Sequence, residues 1–220
     1  MEHQENTDQF LEFFIEGAKN LGFSIQEGIL EKFHLYYKEL CFWNLSVNLT
    51  GLKTDKEKAV LLFADSLAGF LALPASQAVS ILDIGTGAGF PGIPLKLAFP
   101  NLNVTLMEPH GNKTAFLHTV IGKLELANVL VIQKRLEDYN AFVKEEHKWD
   151  VAISKGVSLE HILPYVKNIL KKDGKLVVFR ASNIDNNLEL QGMAIDREIP
   201  YELPYGLGKR LLFVLKILPD

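Results

Sequence analysis

The sequence predicts an α/β fold, in which a Rossmann-like, mostly parallel seven-stranded sheet follows an N-terminal helical region. From residue 79 onward, short apolar runs typical of buried strands alternate with amphipathic helical segments. This alternation predicts a parallel sheet with crossover helices. The last two strands have no helix of useful length between them, so we expect an antiparallel hairpin at one edge. We place the domain boundary near Pro74, with a helical region at 1–75 and a sheet domain at 76–220.

The N-terminal region is predicted to contain three helices. Apolar residues at i, i+3 and i+4 spacing predict a first helix around 10–18, which Gly22 can end. The same spacing predicts a second helix over 26–43 and a third over 55–71. Between these two, the segment 43–51 breaks the helical period and is predicted to be a loop.

The sheet domain is predicted to contain five strands before the hairpin, with helices after the first, second and fourth. The five strands are expected at 79–84, 103–107, 129–132, 149–153 and 175–179, the hairpin strands at 197–203 and 211–217, and the helices at 91–99, 112–126 and 159–171.

Composition and charge exclude several classes of protein. The chain has 220 residues, of which 48% are hydrophobic and 23% charged, as in an ordinary globular protein. The polar start carries no secretory signal, and no apolar run is long enough to span a membrane. The lone Cys41 cannot form an internal disulfide, which favours a reducing compartment. We therefore expect a cytoplasmic protein, monomeric, with no membrane partner and no metal.

The predicted chemistry lies in the glycine-rich segment Asp83–Gly92, which joins the first strand to its helix. Glycines at such a turn let the backbone bend sharply and approach a ligand closely. Glu108 ends the next strand, where a carboxylate can accept hydrogen bonds from a ribose hydroxyl pair. The segment therefore predicts a cofactor with an adenosyl group.

Two cofactors compete for this turn. Gly87, Gly89 and Gly92 satisfy the G-x-G-x-x-G pattern of dinucleotide enzymes. However, Asp83 places a carboxylate where a pyrophosphate needs a loop free of negative charge, and Pro91 removes an N–H near the helix start. A sulfonium ligand with an amino group tolerates that carboxylate. We therefore favour S-adenosyl-L-methionine, with a dinucleotide-dependent oxidoreductase or a plain tight turn as the alternatives.

A second candidate segment, Arg135-Leu136-Glu137-Asp138, follows the third strand. In this type of fold the corresponding loop faces the adenine. The Glu137 side chain, or the backbone of Leu136 and Glu137, is then placed to accept from the adenine amino group. The alternative is a solvated turn.

From about Phe42 to Ile217, the sequence resembles the glucose-inhibited division protein B family, the small-subunit (16S) ribosomal RNA guanine-N7 methyltransferases. The run Gly89–Leu95 is far more specific to that family than a generic glycine pattern. The other matching pieces are Asn48-Leu49-Thr50-Gly51, Asp65-Ser66, Asp83–Ala88, Asn112-Lys113, Phe116-Leu117, and Arg135 with Glu137.

The resemblance implies the sheet of a class I methyltransferase and the use of S-adenosyl-L-methionine. It implies cofactor contacts from five residues, Gly85, Phe90, Glu108, Leu136 and Glu137. To these five we add the residues of the glycine turn argued above and Lys155, which follows the fourth strand. The predicted cofactor-binding set is then Asp83, Gly85, Gly87, Gly89, Phe90, Glu108, Leu136, Glu137 and Lys155.

The resemblance also implies a partner, the ribosomal RNA of the small subunit. The sequence departs from the family pattern in ways that concern this RNA target rather than cofactor binding. Lys155 stands where the family usually has arginine, which loses the planar fork of the guanidinium. Arg180-Ala181-Ser182 stands where the family often has lysine-glycine, and many members carry a basic tail after the last strand. A non-enzymatic RNA- or ribosome-binding protein on the same fold is therefore a second alternative.

Methylation of guanine N7 needs no general base, because N7 carries a lone pair and no proton at neutral pH. We therefore predict catalysis by positioning, with Lys155 as the substrate-positioning residue. The predicted RNA-binding residues are Asn48, Lys113, Lys155 and Arg180. The formal net charge is -4, so binding to RNA requires a local basic patch. Its candidates are Lys113, Lys155, Lys171, Lys172, Lys175, Arg180, Lys209 and Arg210.

Overall fold

The computed structural model describes residues 2–74, 79–185 and 187–219, with side chains from residue 9 onward. The predicted domain boundary at 75/76 lies outside the described residues. A single seven-stranded sheet has the order β3-β2-β1-β4-β5-β7-β6. Its strands are β1 (Ser80–Ile84), β2 (Asn103–Met107), β3 (Val129–Ile132), β4 (Trp149–Lys155), β5 (Leu170–Arg180), β6 (Met193–Leu203) and β7 (Gly208–Ile217).

The first five strands pair in parallel, whereas β7 pairs antiparallel with both β5 and β6. The predicted fold class, including the C-terminal hairpin, is therefore confirmed. The helical elements are α1 (Glu2–Asn20), α2 (Glu27–Trp43), α3 (Asp55–Glu57), a π-helix (Lys58–Ala64), α4 (Asp65–Leu67), a 3-10 helix (Ala68–Ala72), α5 (Gly92–Ala98), α6 (Gly111–Lys123), α7 (Leu136–Asn140), two 3-10 turns (Glu145–His147 and Leu159–His161) and α8 (Leu163–Ile169).

The sheet separates two apolar cores, because alternate residues of a strand point to opposite faces. In β1, Ile81 belongs to the core under the N-terminal helices and Leu82 to the core under α8. The first core is rich in aromatic rings, among them Phe10, Phe14 and Phe63. The N-terminal helices are thus packed on the sheet rather than attached as a separate body.

The third predicted helix, 55–71, is helical but not regular. Its centre is the π-helix, and its end is a 3-10 helix. Two carbonyl groups in this stretch are taken by side chains: Lys155 Nζ donates to the Leu61 carbonyl at 2.5 Å, and Ser66 Oγ donates to the Leu62 carbonyl. Both contacts compete with the backbone hydrogen bonds where the helical turn is widened, and widened turns are frequent at functional sites.

The single helix predicted at 159–171 is wrong, because the segment contains a 3-10 turn followed by the short α8, and β5 already begins at Leu170. Pro164 lies in the first turn of α8, where its missing N–H is tolerated, and it prevents a continuous helix from Leu159. The helix predicted from Pro91 begins one residue later, so that Pro94 falls in the first turn of α5.

Candidate active site

The glycine turn between β1 and α5 has the backbone conformations that require glycine. Gly85, Gly87 and Gly89 have φ of 68°, 59° and 97°, a region that side chains rarely adopt. A Cβ on Gly85 would also lie 2.5 Å from Val157 Cγ2. The predicted sharp turn therefore exists, and it is braced by the segment after β4.

Asp83 fixes this turn from beneath. Its side chain has no exposed surface, and Oδ2 accepts from Thr86 Oγ1 at 2.6 Å and from the Gly92 N–H at 2.8 Å. Oδ1 is buried without a hydrogen-bond partner among the described residues. Burial raises the pKa of Asp83 to about 7, against hydrogen bonds from Thr86 and Gly92 that lower it. Because the Gly92 N–H is already bonded to a carboxylate, the first N–H of α5 is not available to a pyrophosphate.

Glu108, at the end of β2, has both carboxylate oxygens in use. Oε2 accepts from the Gly87 N–H at 3.1 Å. Oε1 accepts from the His110 N–H at 3.1 Å and lies 2.6 Å from His110 Nδ1. A carboxylate has about four lone-pair sites, so Oε2 keeps capacity for a ribose hydroxyl. His110 was not predicted, although its position two residues after Glu108 marks the start of α6.

A cleft of about 320 Å³ opens at the carboxyl ends of β1, β2 and β4. In open α/β sheets this edge is where ligands bind. Of the residues predicted to bind the cofactor, Gly85, Leu136 and Glu137 line the cleft. The loop predicted at Arg135–Asp138 is wrong, because Leu136 starts the short helix α7 with Arg135 as its N-cap. Leu136 and Glu137 therefore line the cleft from the first turn of a helix.

Several residues that line the cleft were not predicted. Among them are Val157, His161, Pro164 and Tyr165. The signal in the sequence was their position after β4, which pairs directly with β1. His161 ends the 3-10 turn and Tyr165 lies in α8, so the two side chains reach the cleft from separate elements.

Phe90 lies behind the glycine turn rather than in the cleft. Its side chain is 7% exposed and its ring stacks on Tyr36, with 5.3 Å between ring centroids. The Phe63 ring meets it edge-on at 5.0 Å. Phe90 therefore joins the turn to the aromatic core under the N-terminal helices.

Lys155, at the end of β4, is bonded inward. Its Nζ lies 2.8 Å from Asp65 Oδ2, in addition to its bond with the Leu61 carbonyl. The Phe179 ring lies 5.7 Å from the same Nζ. Lys155 is near enough to Asp83 to lower the pKa of that carboxyl. The structure thus places Lys155 beside the glycine turn with its charge neutralised by an aspartate.

The other predicted RNA-binding residues lie on three separate parts of the chain. Arg180 ends β5 and makes no ion pair or side-chain hydrogen bond within the described ranges; it shares a cavity of about 210 Å³ with Ser158 and Asn187, among others. Lys113 lies in the first turn of α6, next to β2. Because β2 is three strand positions from β5, these two strands are on the order of 14 Å apart. Asn48 is exposed on the turn after α2.

The turn that carries Asn48 is rigid, which the sequence did not indicate. Asn44 Oδ1 accepts from the N–H groups of Leu49 and Thr50 at 2.8 and 2.9 Å, and Asn44 Nδ2 donates to the Thr50 carbonyl at 3.1 Å. One side chain therefore satisfies three backbone groups of the turn, and the position of Asn48 is fixed by its neighbours.

Among residues 2–74, 79–185 and 187–219, no group of three or more His, Cys, Asp or Glu side chains is arranged to hold a metal ion. None of the helices in that part of the chain combines the length and the apolar character that crossing a membrane requires.

Residues 29–205 match the model of the GidB family, described as rRNA small subunit methyltransferase G. The chain belongs to this family. A GidB relative named ribosomal RNA small subunit methyltransferase G, from Lachnoclostridium phytofermentans, is 35% identical over 92% of this chain and 87% of its own length. Its namesake from Desulforamulus reducens is 36% identical over 82% of this chain and 76% of its own length. The family resemblance predicted from the sequence is thus confirmed.

Solved structures agree on the fold. A SAM-dependent methyltransferase from Aquifex aeolicus superposes with a TM-score of 0.53 at 17% identity, over 73% of this chain and 93% of that one. A ribosomal protein L11 methylase from Lactobacillus delbrueckii gives a TM-score of 0.53 at 16% identity, over 72% and 79%. The GidB chain therefore has the class I methyltransferase fold.

Proposed function

We propose that this chain transfers the methyl group of S-adenosyl-L-methionine to N7 of a guanine in the 16S ribosomal RNA of the small subunit. The observation that carries the proposal is the glycine turn of a GidB protein opening onto a cleft at the carboxyl ends of β1, β2 and β4. We propose that it does so as a cytoplasmic monomer.

The residues that line the cleft and those of the adjoining glycine turn and β2 end fit an adenosyl cofactor. Three glycines with positive φ keep the turn free of side chains, and the first turn of α7 offers the backbone of Leu136 and Glu137 to the adenine. Glu108 retains a lone-pair site for the sugar. At and above about pH 7 the buried Asp83 carboxyl contributes negative charge beneath the turn, which suits a cationic ligand. When bound, S-adenosyl-L-methionine would supply an electrophilic methyl group.

Methyl transfer to guanine N7 requires mainly that the protein position the base against the methyl group. Guanine N7 holds a free lone pair, so no residue has to remove a proton. Alignment of N7 with the methyl group, at about 3–3.5 Å, then accounts for most of the acceleration. Lys155 is bonded to Asp65, and we propose that it positions the substrate side of the site from that fixed place. An unchanged methylation rate in Lys155→Ala would remove this residue from the site.

Basic residues at the edge of the sheet that bears the cleft support RNA as the substrate. Arg180 ends β5, and the antiparallel β7 brings Lys209 and Arg210 to the same edge, since Leu211 pairs with Arg180. By contrast, Lys171 and Lys175 lie at the opposite edge and are paired with Asp150 and Asp196 at 2.8 and 2.6 Å. We propose that Asn48, Lys113, Lys155 and Arg180 contact the RNA.

The test is methyl transfer to isolated small ribosomal subunits that lack the modification, followed by mass mapping of the 16S RNA. The expected result is one added methyl group on a guanine, at N7. Because the net charge is negative, assembled or partly assembled particles are expected to be better substrates than protein-free RNA. Equal rates on both would contradict that expectation, and binding of the subunit without methylation would favour the non-enzymatic alternative.

A further inference from the structure

A tyrosine of the N-terminal helical region reaches the glycine turn. Tyr36, on α2, is fully buried, and its Oη donates a hydrogen bond to the carbonyl oxygen of Ala88, in the middle of the turn. Burial, and then the charge of Asp83, raise the pKa of Tyr36 well above its ordinary value, so the hydroxyl keeps its proton. A helix that lies outside the sheet domain therefore donates to the backbone of the predicted cofactor loop.

The Ala88 carbonyl has no ready substitute for this donor. The backbone N–H groups that follow it in the chain are engaged elsewhere: Phe90 donates to the Thr86 carbonyl at 3.0 Å and Gly92 to Asp83 at 2.8 Å. Pro91, between them, has no N–H. Removal of the hydroxyl would leave a buried carbonyl without a partner, which is costly because the group has lost its water.

The Tyr36 side chain is enclosed by two aromatic rings and by the glycine turn. Its ring stacks on Phe90 and meets Phe63 edge-on at 5.0 Å between centroids. A Cβ on Gly89 would lie 2.7 Å from Tyr36 Oη and 2.5 Å from Ile93 Cδ1. The third glycine of the turn therefore makes room for a protein hydroxyl and an isoleucine, and not only for a ligand.

We propose that Tyr36 is a positioning residue for cofactor binding, because its hydroxyl holds the second half of the glycine turn in the conformation that accepts S-adenosyl-L-methionine. The proposal rests on the use of that cofactor set out above. It makes the N-terminal helical region part of the cofactor site. Tyr36 itself does not contact the cleft, since its side chain is fully buried behind the turn.

The next residue offers a matched control. Tyr37 is also buried on α2, and its Oη donates to Asp55 instead of to the turn. Its ring stacks on Phe10, with 3.9 Å between centroids. Tyr36→Phe and Tyr37→Phe thus each delete one bonded hydroxyl from neighbouring positions of the same helix, and only the first deletion touches the glycine turn.

The experiment compares the full-length protein with both variants by calorimetric titration with S-adenosyl-L-methionine, by thermal unfolding, and by methylation of small subunits. Tyr36→Phe is expected to raise the Kd and the KM for the cofactor about tenfold, with kcat within about twofold at saturating cofactor. Tyr37→Phe is expected to change both constants less than about twofold, although both variants lower Tm by a few degrees.

Two results would overturn the proposal: a Tyr36→Phe variant that binds the cofactor as tightly as the parent protein, or a Tyr37→Phe variant that loses the same affinity, which would show a general effect of stability. Amide hydrogen exchange at Gly89 and Phe90 gives an independent readout and should be faster in Tyr36→Phe alone. If the parent protein itself fails to bind S-adenosyl-L-methionine, the proposed function fails first and this positioning role with it.

Discussion

Lys155 Nζ lies 2.8 Å from Asp65 Oδ2, and Tyr201 Oη donates to the other oxygen of the same carboxylate at 2.6 Å. The Asp65 side chain is only 4% exposed. One buried carboxylate thus joins α4, to which Asp65 belongs, to the end of β4 and to the hairpin strand β6. Burial and Asp65 together raise the pKa of Tyr201, so its hydroxyl remains a donor.

The Lys155→Ala variant is expected to lose about 3 kcal/mol of unfolding free energy in a urea titration, since removal of one partner leaves the other charge buried and unpaired. Lys171→Ala is the matched control, because its pair with Asp150 has the same 2.8 Å separation but side chains that are 49% and 32% exposed. That variant should lose less than about 1 kcal/mol. Equal losses would show that the pair at Lys155 is effectively solvated.

The pKa of Asp83 predicts how stability depends on pH. Its ordinary value is 3.8 and burial raises it to about 7 in the folded protein. Below pH 3.8 the Asp83 carboxyl is protonated in the folded and in the unfolded state, so its ionisation does not change the unfolding free energy. As pH rises toward 7 the unfolded state ionises first, so the unfolding free energy falls, by about 4 kcal/mol over three pKa units.

The check is the difference in unfolding free energy between the parent protein and Asp83→Asn, measured by urea titration from pH 4 to pH 8. The difference should favour the parent most at low pH, shrink as the pH approaches 7, and stay constant above it. A difference independent of pH would mean that Asp83 is ionised throughout the range.

Gly85→Ala is expected to weaken binding of S-adenosyl-L-methionine at least tenfold in a calorimetric titration, because the new Cβ meets Val157 Cγ2 at 2.5 Å and the residue has φ of 68°. The double variant Gly85→Ala/Val157→Ala removes the clash and keeps the backbone strain, so it should recover part of the affinity. Gly122→Ala is the control; no atom outside its own helix lies within 4 Å of its Cβ position, and it should leave binding unchanged.

Arg180→Ala is expected to raise the KM for small ribosomal subunits about fivefold and to leave the Kd for S-adenosyl-L-methionine unchanged, because a phosphate-binding cation contributes to RNA affinity and not to the cofactor. The increase should diminish at higher salt. Lys172→Ala, at the opposite edge of the sheet, serves as the control and should leave the KM as it was. A change in cofactor affinity would place Arg180 in the cleft.

Much of this fold could be predicted from periodicity alone, because β1 to β4 contain short apolar runs. The strands β2 and β3 have the predicted bounds, 103–107 and 129–132. The helix predicted at 159–171 was wrong because of a local signal, Pro164, whereas the irregular helix at 55–71 is shaped by a tertiary contact. Lys155 comes from 94 residues away to take the Leu61 carbonyl, and no local window of the sequence contains both.

In the candidate site, too, residues that belong to a sequence motif were predicted, and residues placed by the tertiary structure were missed. Gly85, Leu136 and Glu137 were predicted to bind the cofactor, and all three line the cleft, because a motif fixes its own local backbone. His161 and Tyr165 were missed, since they reach the cleft through strand order and not through a motif. Phe90 was predicted as a cofactor residue, and the structure shows its packing against Tyr36, a contact that depends on how α2 lies on the sheet.

Calorimetric titration of the purified protein with S-adenosyl-L-methionine and, separately, with NAD⁺ tests most directly whether the glycine turn holds a methyl donor. We predict one molecule of S-adenosyl-L-methionine bound per chain at micromolar Kd and no heat from NAD⁺. Uptake of NAD⁺ without any binding of S-adenosyl-L-methionine would contradict the account.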